Sequence, residues 1–306
     1  MTVNRPLMSG IWPALMTPLR PDLSVDHATF VGHARDLIEA GCAGVTPFGT
    51  TGEGPSFSVQ ERIDAVDALV RGGVPASRIL VATGCAALPD VVTLTRHATD
   101  LGAAGCLMLP PFFFKGVPDA GVVDAYRWVI DQVADPRLKV MLYQLPQVTG
   151  MTLDHDVIRT LLALYPDTFI GLKDSFCQRE HSLAFARAFM PPLQVWVGNE
   201  LDIPALAAEG TLGAVSGIAN LMPRLVQRLV DDHAGAQTAG RLARIQELLT
   251  ILGGYNMTAA FKGLMALKSG HEGWLRVRPP LVALDATERK RLRAQWQAFG
   301  LDPARE

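Results

Sequence analysis

The chain has 306 residues, of which 49% are hydrophobic and 19% are charged, and its formal net charge is −2. This balance is typical of a globular protein with a large core and lacks the basic footprint of nucleic-acid binding, so we expect small-molecule partners. No apolar run reaches the roughly 18 residues of a membrane span. Proline and glycine interrupt the stretch up to Leu19, which argues against a signal peptide.

Short apolar runs rich in Val, Ile and Leu recur as far as Ser216, with amphipathic stretches between them. We count eight runs, which is the number that closes a (β/α)8 barrel, the TIM-barrel fold. An open doubly wound sheet is the alternative, but no GxGxxG motif follows the first run. The predicted strands are residues 11–16, 44–48, 79–83, 105–109, 139–143, 169–173, 194–197 and 213–216.

Helix signals lie between these runs. Apolar spacing predicts a helix over residues 27–40, and the capping-box pair Ser58 and Glu61 predicts the start of another. After about Asn220 the strand pattern stops. We therefore predict an α/β fold in two parts, a barrel over residues 1–222 and a helical C-terminal extension over residues 223–306. The helices of the extension are predicted around residues 225–233, 241–252, 257–267 and 286–299.

Four cysteines are scattered along the chain without a CxxC pair, and seven histidines are dispersed without an HExxH motif. Such spacing predicts neither a zinc site nor a disulfide framework. We therefore expect no metal, no bound cofactor and a cytoplasmic location. The thiols expected to be buried are Cys42, Cys85, Cys106 and Cys177.

Two consecutive predicted strands end in residues that can carry chemistry, Tyr143 and Lys173. The active site of such a barrel lies at the C-terminal ends of its strands. Apolar surroundings disfavour the charged ammonium form, and a neutral amine can attack a carbonyl to form a Schiff base. The simpler alternatives are a lysine that reaches solvent or pairs with Asp174, and a tyrosine that only fills the barrel mouth.

The loop over residues 49–54 follows the second predicted strand and contains three glycines and two threonines. Its backbone N–H groups and the hydroxyls of Thr50 and Thr51 suit a carboxylate, although a tight turn without a ligand is the simpler explanation. Glu53 could act as a base, or it could hold the loop by accepting backbone hydrogen bonds. The loop lacks a Walker A lysine and the chain lacks a GxSxG motif, which leaves Lys173 as the candidate covalent centre.

Three segments together resemble the dihydrodipicolinate synthase/N-acetylneuraminate lyase family of pyruvate-dependent aldolases. They are GVTPFGTTGEGPSFSVQER from Gly44, YQLPQVTG from Tyr143 and GLKDS from Gly171. The stretch from Lys262 to Leu281, which ends in Arg278-Pro279-Pro280-Leu281, resembles the family's C-terminal region as well. The resemblance implies a class I lyase in a (β/α)8 barrel with a helical extension. It also implies a homodimer or homotetramer.

The resemblance further implies roles for single residues. Lys173 would form an imine with pyruvate or another 2-oxo acid, and Tyr143 would transfer protons. The loop residues Gly49, Thr50 and Thr51 match the segment that holds the pyruvate carboxylate and helps to relay protons. Val215 matches the position whose backbone carbonyl lines the site.

The chain also departs from the family pattern. Dihydrodipicolinate synthases carry an arginine at the position of Val148, where it binds the acidic aldehyde, and a tyrosine from the neighbouring subunit at the position of Phe113. With Val148 in place of that arginine, an acidic aldehyde loses a charge-assisted hydrogen bond, which costs about 1.5–3 kcal/mol. Phe113 cannot carry a proton. Gln144 replaces the asparagine that usually follows the catalytic tyrosine.

Residues 198–200 are more similar to the sialic acid lyase and sugar-acid aldolase members, whose equivalent segment hydrogen-bonds substrate hydroxyls. Glu200 and Ser216 are therefore candidate substrate-binding residues. Alternatively, Asn199 and Glu200 only begin the following helix as its N-cap and first-turn acid.

We therefore predict that the protein is a lyase that reversibly cleaves a 2-oxo acid into pyruvate and an aldehyde. The expected substrate is a 2-oxo-3-deoxy sugar acid. One alternative is a dihydrodipicolinate synthase, which joins pyruvate to aspartate semialdehyde, and another is a sugar-acid dehydratase acting through the same imine. Gly210, Gly213 and Gly217 suggest an aldolase for phosphorylated sugars, but no nearby Lys or Arg supports a phosphate. A barrel that binds a 2-oxo acid without turnover is the remaining alternative.

Overall fold

A computed structural model of the chain describes residues 8–302. All eight predicted strands form, and two of them have the predicted bounds. The others differ by a few residues at their ends, most of all the second strand, which is reduced to a dipeptide. The strands are β1 Gly10–Leu15, β2 Thr46–Pro47, β3 Leu80–Ala82, β4 Gly105–Met108, β5 Val140–Gln144, β6 Phe169–Asp174, β7 Gln194–Val197 and β8 Gly213–Ser216.

The strands are parallel and follow one another around a barrel. Hydrogen-bonded ladders join β8, β1 and β2, and a second set joins β3 to β7 in chain order. A single parallel bridge between Val45 and Ile79 connects the two sets. On the opposite side, the Gln194 side chain of β7 contacts the segment before β8. Its Oε1 atom accepts from the Leu212 N–H at 3.1 Å. The predicted TIM barrel is confirmed.

The barrel interior is filled by large side chains, including Trp12, Met141 and Trp196. Their volume requires glycine on the neighbouring strands. A Cβ on Gly213 would lie 2.9 Å from the Trp196 ring, and one on Gly44 would lie 2.3 Å from the Trp12 ring. A barrel packed in this way has no channel through its centre, so its chemistry is confined to the rim at the carboxyl ends of the strands.

Helices cover the outside of the barrel, and a second apolar layer fills the space between them and the strands. The capping box predicted at Ser58 and Glu61 forms at the start of α2. The helices are α1 His27–Glu39, α2 Val59–Arg71, α3 Leu88–Asp100, α4 Asp119–Val133, α5 Pro146–Thr149, α6 His155–Leu164, α7 Arg179–Phe189, α8 Ile203–Ala208, α9 Pro223–Asp231, α10 Thr238–Leu252, α11 Met257–Ser269 and α12 Ala286–Phe299.

The C-terminal region is helical, as predicted, and it begins with α9 at Pro223. The predicted ranges 1–222 and 223–306 also include residues 1–7 and 303–306, which lie outside the described residues. Within the described part, no helix is long and apolar enough to cross a membrane.

The prediction of four buried thiols is wrong for two of them. Cys42 and Cys106 are buried, and burial raises the pKa of each thiol to about 12. Cys85 is half-buried, and Cys177 is exposed. Cys177 has a φ of 61° in the loop after β6, where the chain has already left the sheet. A loop residue beyond a strand end is not covered by the helical layer.

Candidate active site

Lys173 and Tyr143 lie directly opposite each other in the pairing of β6 with β5. Both side chains are almost fully buried, with 6% of Lys173 and 4% of Tyr143 exposed. The Lys173 Nζ atom lies 4.4 Å from the centroid of the Tyr143 ring. The sequence therefore correctly predicted that the amine and the phenol are neighbours at the carboxyl ends of two strands.

The carboxylate of Asp174 does not pair with Lys173. Consecutive side chains of a strand alternate between its two faces, so Asp174 extends away from the barrel interior. Its Oδ2 atom accepts from Ser182 Oγ at 2.7 Å and lies 2.9 Å from His181 Nδ1. The simpler alternative of a Lys173–Asp174 ion pair is therefore not what this fold forms.

A hydrogen-bond network ties the end of β5 to the helix that follows β6. Gln144 Nε2 lies 3.2 Å from His181 Nε2, and the Gln144 side-chain oxygen accepts from the Leu153 N–H. Because the amide nitrogen can only donate, the His181 Nδ1–H is left to donate to Asp174. The side chain of Gln144 makes this bridge. Sequence reasoning did not identify His181, which lies on α7.

Thr50 is the residue of the glycine-rich loop that contacts Tyr143. Its Oγ1 atom lies 3.3 Å from the Tyr143 hydroxyl, and either oxygen can donate. Thr51 lies further round the rim, beside the end of β8, where a Cβ on Gly217 would approach its Oγ1 to 3.4 Å. The two hydroxyls therefore border the barrel mouth from the loop after β2.

The loop is held in an unusual backbone conformation at both of its ends. Phe48 and Glu53 have φ values of 61° and 58°, in the left-handed region that residues with a side chain rarely adopt. Gly54 passes so close to the preceding turn that a Cβ would lie 1.9 Å from the Phe48 carbonyl oxygen. Such strain is maintained only when surrounding contacts fix it, and it is common at functional sites.

Glu53 does not hold the loop through backbone hydrogen bonds, so that prediction is wrong. Its Oε1 atom is 2.6 Å from Lys262 Nζ on α11, and both side chains are 1% exposed. Burial lowers the pKa of Lys262, and the Glu53 charge opposes that shift. The second carboxylate oxygen of Glu53 is buried without a hydrogen-bond partner. The sequence offered no signal for this pair because 209 residues separate its members.

The segment after α11 is anchored on the same loop. Arg278 Nη1 donates to the Ser56 carbonyl at 2.8 Å and to Glu61 Oε2 at 3.0 Å, and its guanidinium lies 4.4 Å from the centroid of the Phe57 ring. The hydrogen bond from Arg278 lowers the pKa of Glu61 to about 2. These contacts bring Leu281 to the barrel mouth.

A cavity of about 310 Å³ opens beside Tyr143. Four of the residues predicted for the site line it, and Thr258, Pro280 and Leu281 of the C-terminal region, which the sequence did not predict, line it as well. Its walls are formed by Phe48, Gly49, Thr50, Glu53, Pro55, Ser56, Ala82, Gly84, Leu107, Leu109, Phe112, Tyr143, Val148, Thr258, Pro280 and Leu281. A larger cleft of about 670 Å³ lies between α1, α9 and α11, and none of the predicted site residues lines it.

The other six predicted site residues do not line this cavity; they are Lys173, Thr51, Val215, Glu200, Ser216 and Phe113. Val215 is buried among the interior side chains of the barrel. Ser216 Oγ donates to Glu200 Oε1 at 2.6 Å, and the same oxygen accepts from the Ile218 N–H at 3.1 Å. Glu200 therefore already has two partners from the chain itself. Its neighbour Asn199 makes no side-chain cap on the helical turn that follows.

Phe113 lies outside the cavity of its own chain. Its side chain is 70% exposed and contacts Phe114 edge to face, with ring centroids 5.3 Å apart. Phe112, one residue earlier, lines the cavity instead.

Gly198, at the end of β7, leaves room for the amine. A Cβ at this position would lie 3.1 Å from Lys173 Cε and 2.1 Å from Ser175 Oγ. Among residues 8–302, no group of three or more His, Cys, Asp or Glu side chains could hold a metal ion. The groups at this end of the barrel that can carry chemistry include the Lys173 amine, the Tyr143 phenol and the threonine hydroxyls.

Known proteins match this chain over nearly its whole length. The Dihydrodipicolinate synthetase family matches residues 7–299. An uncharacterized DapA-like lyase from Chloroflexus aurantiacus is 36% identical over 294 residues, which are 94% of this chain and 96% of that protein. The crystal structure of a dihydrodipicolinate synthase from Agrobacterium tumefaciens superimposes with a TM-score of 0.88 and 30% identity, covering 95% of this chain and 99% of the other.

A more distant neighbour is a variant of the Sulfolobus solfataricus 2-keto-3-deoxygluconate aldolase. It superimposes with a TM-score of 0.85 at 22% identity and covers 95% of this chain and 96% of that one. At this level of identity the similarity concerns the fold alone.

Proposed function

Because this chain belongs to the Dihydrodipicolinate synthetase family, whose members include lyases, we propose that it is a class I lyase that cleaves a 2-oxo acid into pyruvate and an aldehyde. Lys173 would form the Schiff base. The observation that carries the proposal is the buried Lys173 amine, 4.4 Å from the ring of Tyr143, whose hydroxyl is 3.3 Å from Thr50 Oγ1. An amine, a proton carrier and a second hydroxyl are the groups that this chemistry requires.

The proposed reaction begins when the Lys173 amine attacks the C2 carbonyl of the substrate, and loss of water gives a protonated imine. The bond between C3 and C4 then breaks, its electron pair moves toward the imine nitrogen, and the C4 hydroxyl loses its proton as the aldehyde forms. The resulting enamine takes up a proton at C3. Water hydrolyses the imine and releases pyruvate, so the overall reaction consumes no water and needs no oxidant.

Tyr143 is the group proposed to move these protons. Its hydroxyl is within hydrogen-bond distance of Thr50, so a proton can pass between the two oxygens without a change of backbone position. We assign the substrate carboxylate to Thr51 and the N–H groups of the glycine-rich loop, because converging N–H dipoles favour an anion.

The finer substrate assignment stays a prediction. A 2-oxo-3-deoxy sugar acid was expected from residues 198–200, but Glu200 Oε1 already accepts two hydrogen bonds and Asn199 Nδ2 donates to Asp202 at 2.7 Å. A dehydratase would use the same imine, and product analysis distinguishes it from an aldolase. The homodimer or homotetramer and the cytoplasmic location also stay predictions.

Borohydride reduction in the presence of pyruvate tests the proposal. We expect a stable pyruvyl adduct on the peptide that contains Lys173, detected by mass spectrometry. Lys173→Ala should lose both the adduct and turnover, whereas Lys290→Ala, at an exposed position of α12, should keep both. An adduct on a different lysine, or turnover by Lys173→Ala, would show that the proposal is wrong.

A further inference from the structure

The cavity beside Tyr143 has mainly apolar walls, and its link to the proposed imine is Tyr143, whose ring centroid lies 4.4 Å from Lys173 Nζ. The carboxyl ends of β2, β3, β4 and β5, the segments that follow them and the C-terminal region supply these walls. The apolar side chains that define it are Phe48, Leu107, Leu109, Phe112, Val148 and Leu281. Tyr143 and Thr50, the groups proposed to take the C4 hydroxyl proton, line this space, so the part of the substrate beyond C4 is assigned to it.

The polar groups of the cavity are few and mostly engaged. Thr50 and Tyr143 contact each other, and Glu53 Oε1 pairs with Lys262, while Glu53 Oε2 is buried without a hydrogen-bond partner. Within the described range 8–302, no lysine or arginine lines the cavity. An anionic substrate arm would therefore lose its hydration without gaining a charged partner, and such an exchange is unfavourable.

A polyhydroxylated arm meets a similar difficulty. Beyond Thr50 and Tyr143, the neutral hydroxyl side chains of the walls are Ser56 and Thr258. Each substrate hydroxyl carries a donor and an acceptor, so two side chains cannot replace the water around a chain of hydroxyls. An alkyl or aryl arm requires no partner and is favoured by leaving water.

The cavity volume is suited to a bulky arm. A closed apolar cavity of about 150 Å³ in another protein holds a benzene molecule. The space beside Tyr143 measures about 310 Å³, so an aromatic ring or a branched chain fits beyond the pyruvate carbons.

We infer that the substrate arm beyond C4 is apolar, so that this lyase acts on a 4-hydroxy-2-oxo acid bearing an alkyl or aryl group on C4. The inference rests on the proposed function, because it assigns the substrate of that same site. Cleavage yields pyruvate and an apolar aldehyde. The C4 hydroxyl proton leaves and C3 gains one, so the reaction balances without an added reductant or oxidant.

The test uses the reverse reaction of the full chain with pyruvate and one aldehyde at a time. The apolar aldehydes are benzaldehyde and isobutyraldehyde, the hydroxylated one is glyceraldehyde, and the anionic one is succinic semialdehyde. We expect kcat/KM for the better apolar aldehyde to exceed that for the other two by roughly 100-fold. Equal or faster reaction of glyceraldehyde or succinic semialdehyde would overturn the inference.

Borohydride trapping with pyruvate alone distinguishes failure of the proposed function from failure of the inference about the substrate arm. If no adduct forms on Lys173, the proposed function itself fails. If the adduct forms and the apolar aldehydes are not preferred, or no aldehyde reacts, the proposed imine stands and the inference about the arm is wrong.

Val148→Arg gives a matched test, because Val148 is 54% exposed and the substitution leaves the core unchanged. The guanidinium should reduce the preference for apolar over anionic aldehydes by at least tenfold. Val282→Arg introduces the same charge at a position that is 74% exposed and does not line the cavity, so it should keep the wild-type preference. An unchanged preference in Val148→Arg would contradict the assignment of this cavity to the arm.

Discussion

Tyr143 contacts both other candidate catalytic groups. Its ring lies against the Lys173 amine, and its hydroxyl lies near Thr50 Oγ1. The ring can support the position of the amine whether or not the hydroxyl is present. Formation of the imine and transfer of protons can therefore be separated by removing one oxygen atom.

Tyr143→Phe should still be trapped with pyruvate by borohydride, while its turnover falls about 10²–10⁴-fold, the range for loss of a general acid–base group. Single-turnover trapping and steady-state kinetics measure the two effects. Tyr165→Phe is the control, because the Tyr165 hydroxyl donates to Asp131 at the surface. Equal loss of trapping and turnover in Tyr143→Phe would contradict this separation of roles.

Gly198 provides a second test at the scale of one residue. Gly198→Ala would place a methyl group 3.1 Å from Lys173 Cε, so we expect the amine to shift and borohydride trapping to slow by about 10²-fold. Gly240→Ala, on α10, meets no atom within 4 Å and should leave trapping unchanged. Trapping of Gly198→Ala at the wild-type rate would show that the amine does not depend on this space.

At the scale of elements, α11 of the C-terminal region fixes the glycine-rich loop of the barrel. Lys262 carries the positive charge that compensates Glu53, and both groups are buried. Glu53 in turn occupies the strained position of the loop, three residues after Thr50. The position of Thr50 therefore depends on a helix outside the barrel.

Lys262→Met should destabilise the protein by about 3–5 kcal/mol, because it leaves the Glu53 carboxylate buried without a charged partner. The double variant Glu53→Gln/Lys262→Met should recover much of that loss, since neither charge remains. Denaturant unfolding measures the free energies. If the double variant is no more stable than Lys262→Met, the buried charge is not the cause of the loss.

The barrel strands were predictable because each is a short, continuous apolar run, and buried parallel strands require such runs. Lys173 and Tyr143 were predictable because polar residues at the ends of such runs reach the barrel mouth. The contribution of Lys262 and Leu281 was not predictable in the same way. Their contacts join segments far apart in the chain, and no local pattern records which side chain a distant glutamate will meet.

At the scale of the whole molecule, His33 helps to close the barrel. His33 Nε2 donates to Asn220 Oδ1 at 2.9 Å, and Asn220 Nδ2 donates to the Ala14 carbonyl at 2.9 Å. The link joins α1, β1 and the turn after β8, where the first and last strands meet. Burial lowers the pKa of His33 to about 4.

This lowered pKa predicts a dependence of stability on pH. Above pH 6.5 the imidazole is neutral in both states and has no effect. Between about pH 6.5 and pH 4 the unfolded chain binds a proton that the native protein excludes, so the free energy of unfolding falls, by about 3 kcal/mol over the full interval.

His33→Gln keeps a hydrogen-bond donor toward Asn220 and removes the titration. We expect its stability to depend less on pH across this interval than that of the wild type, as measured by urea unfolding at several pH values. His233→Asn, at a half-buried position after α9, should keep the wild-type dependence. Parallel curves for the wild type and His33→Gln would rule out His33 as the titrating group.

The two regions defined by secondary structure are not separable modules. Leu281 forms part of the cavity wall, and Lys262 neutralises a charge inside the barrel mouth. A fragment that ended near residue 222 would keep Lys173 and Tyr143 but would expose the Glu53 side of the loop. We therefore expect that exchange of C-terminal regions between relatives would alter the proposed substrate choice together with stability, because Leu281 and Lys262 both belong to that region.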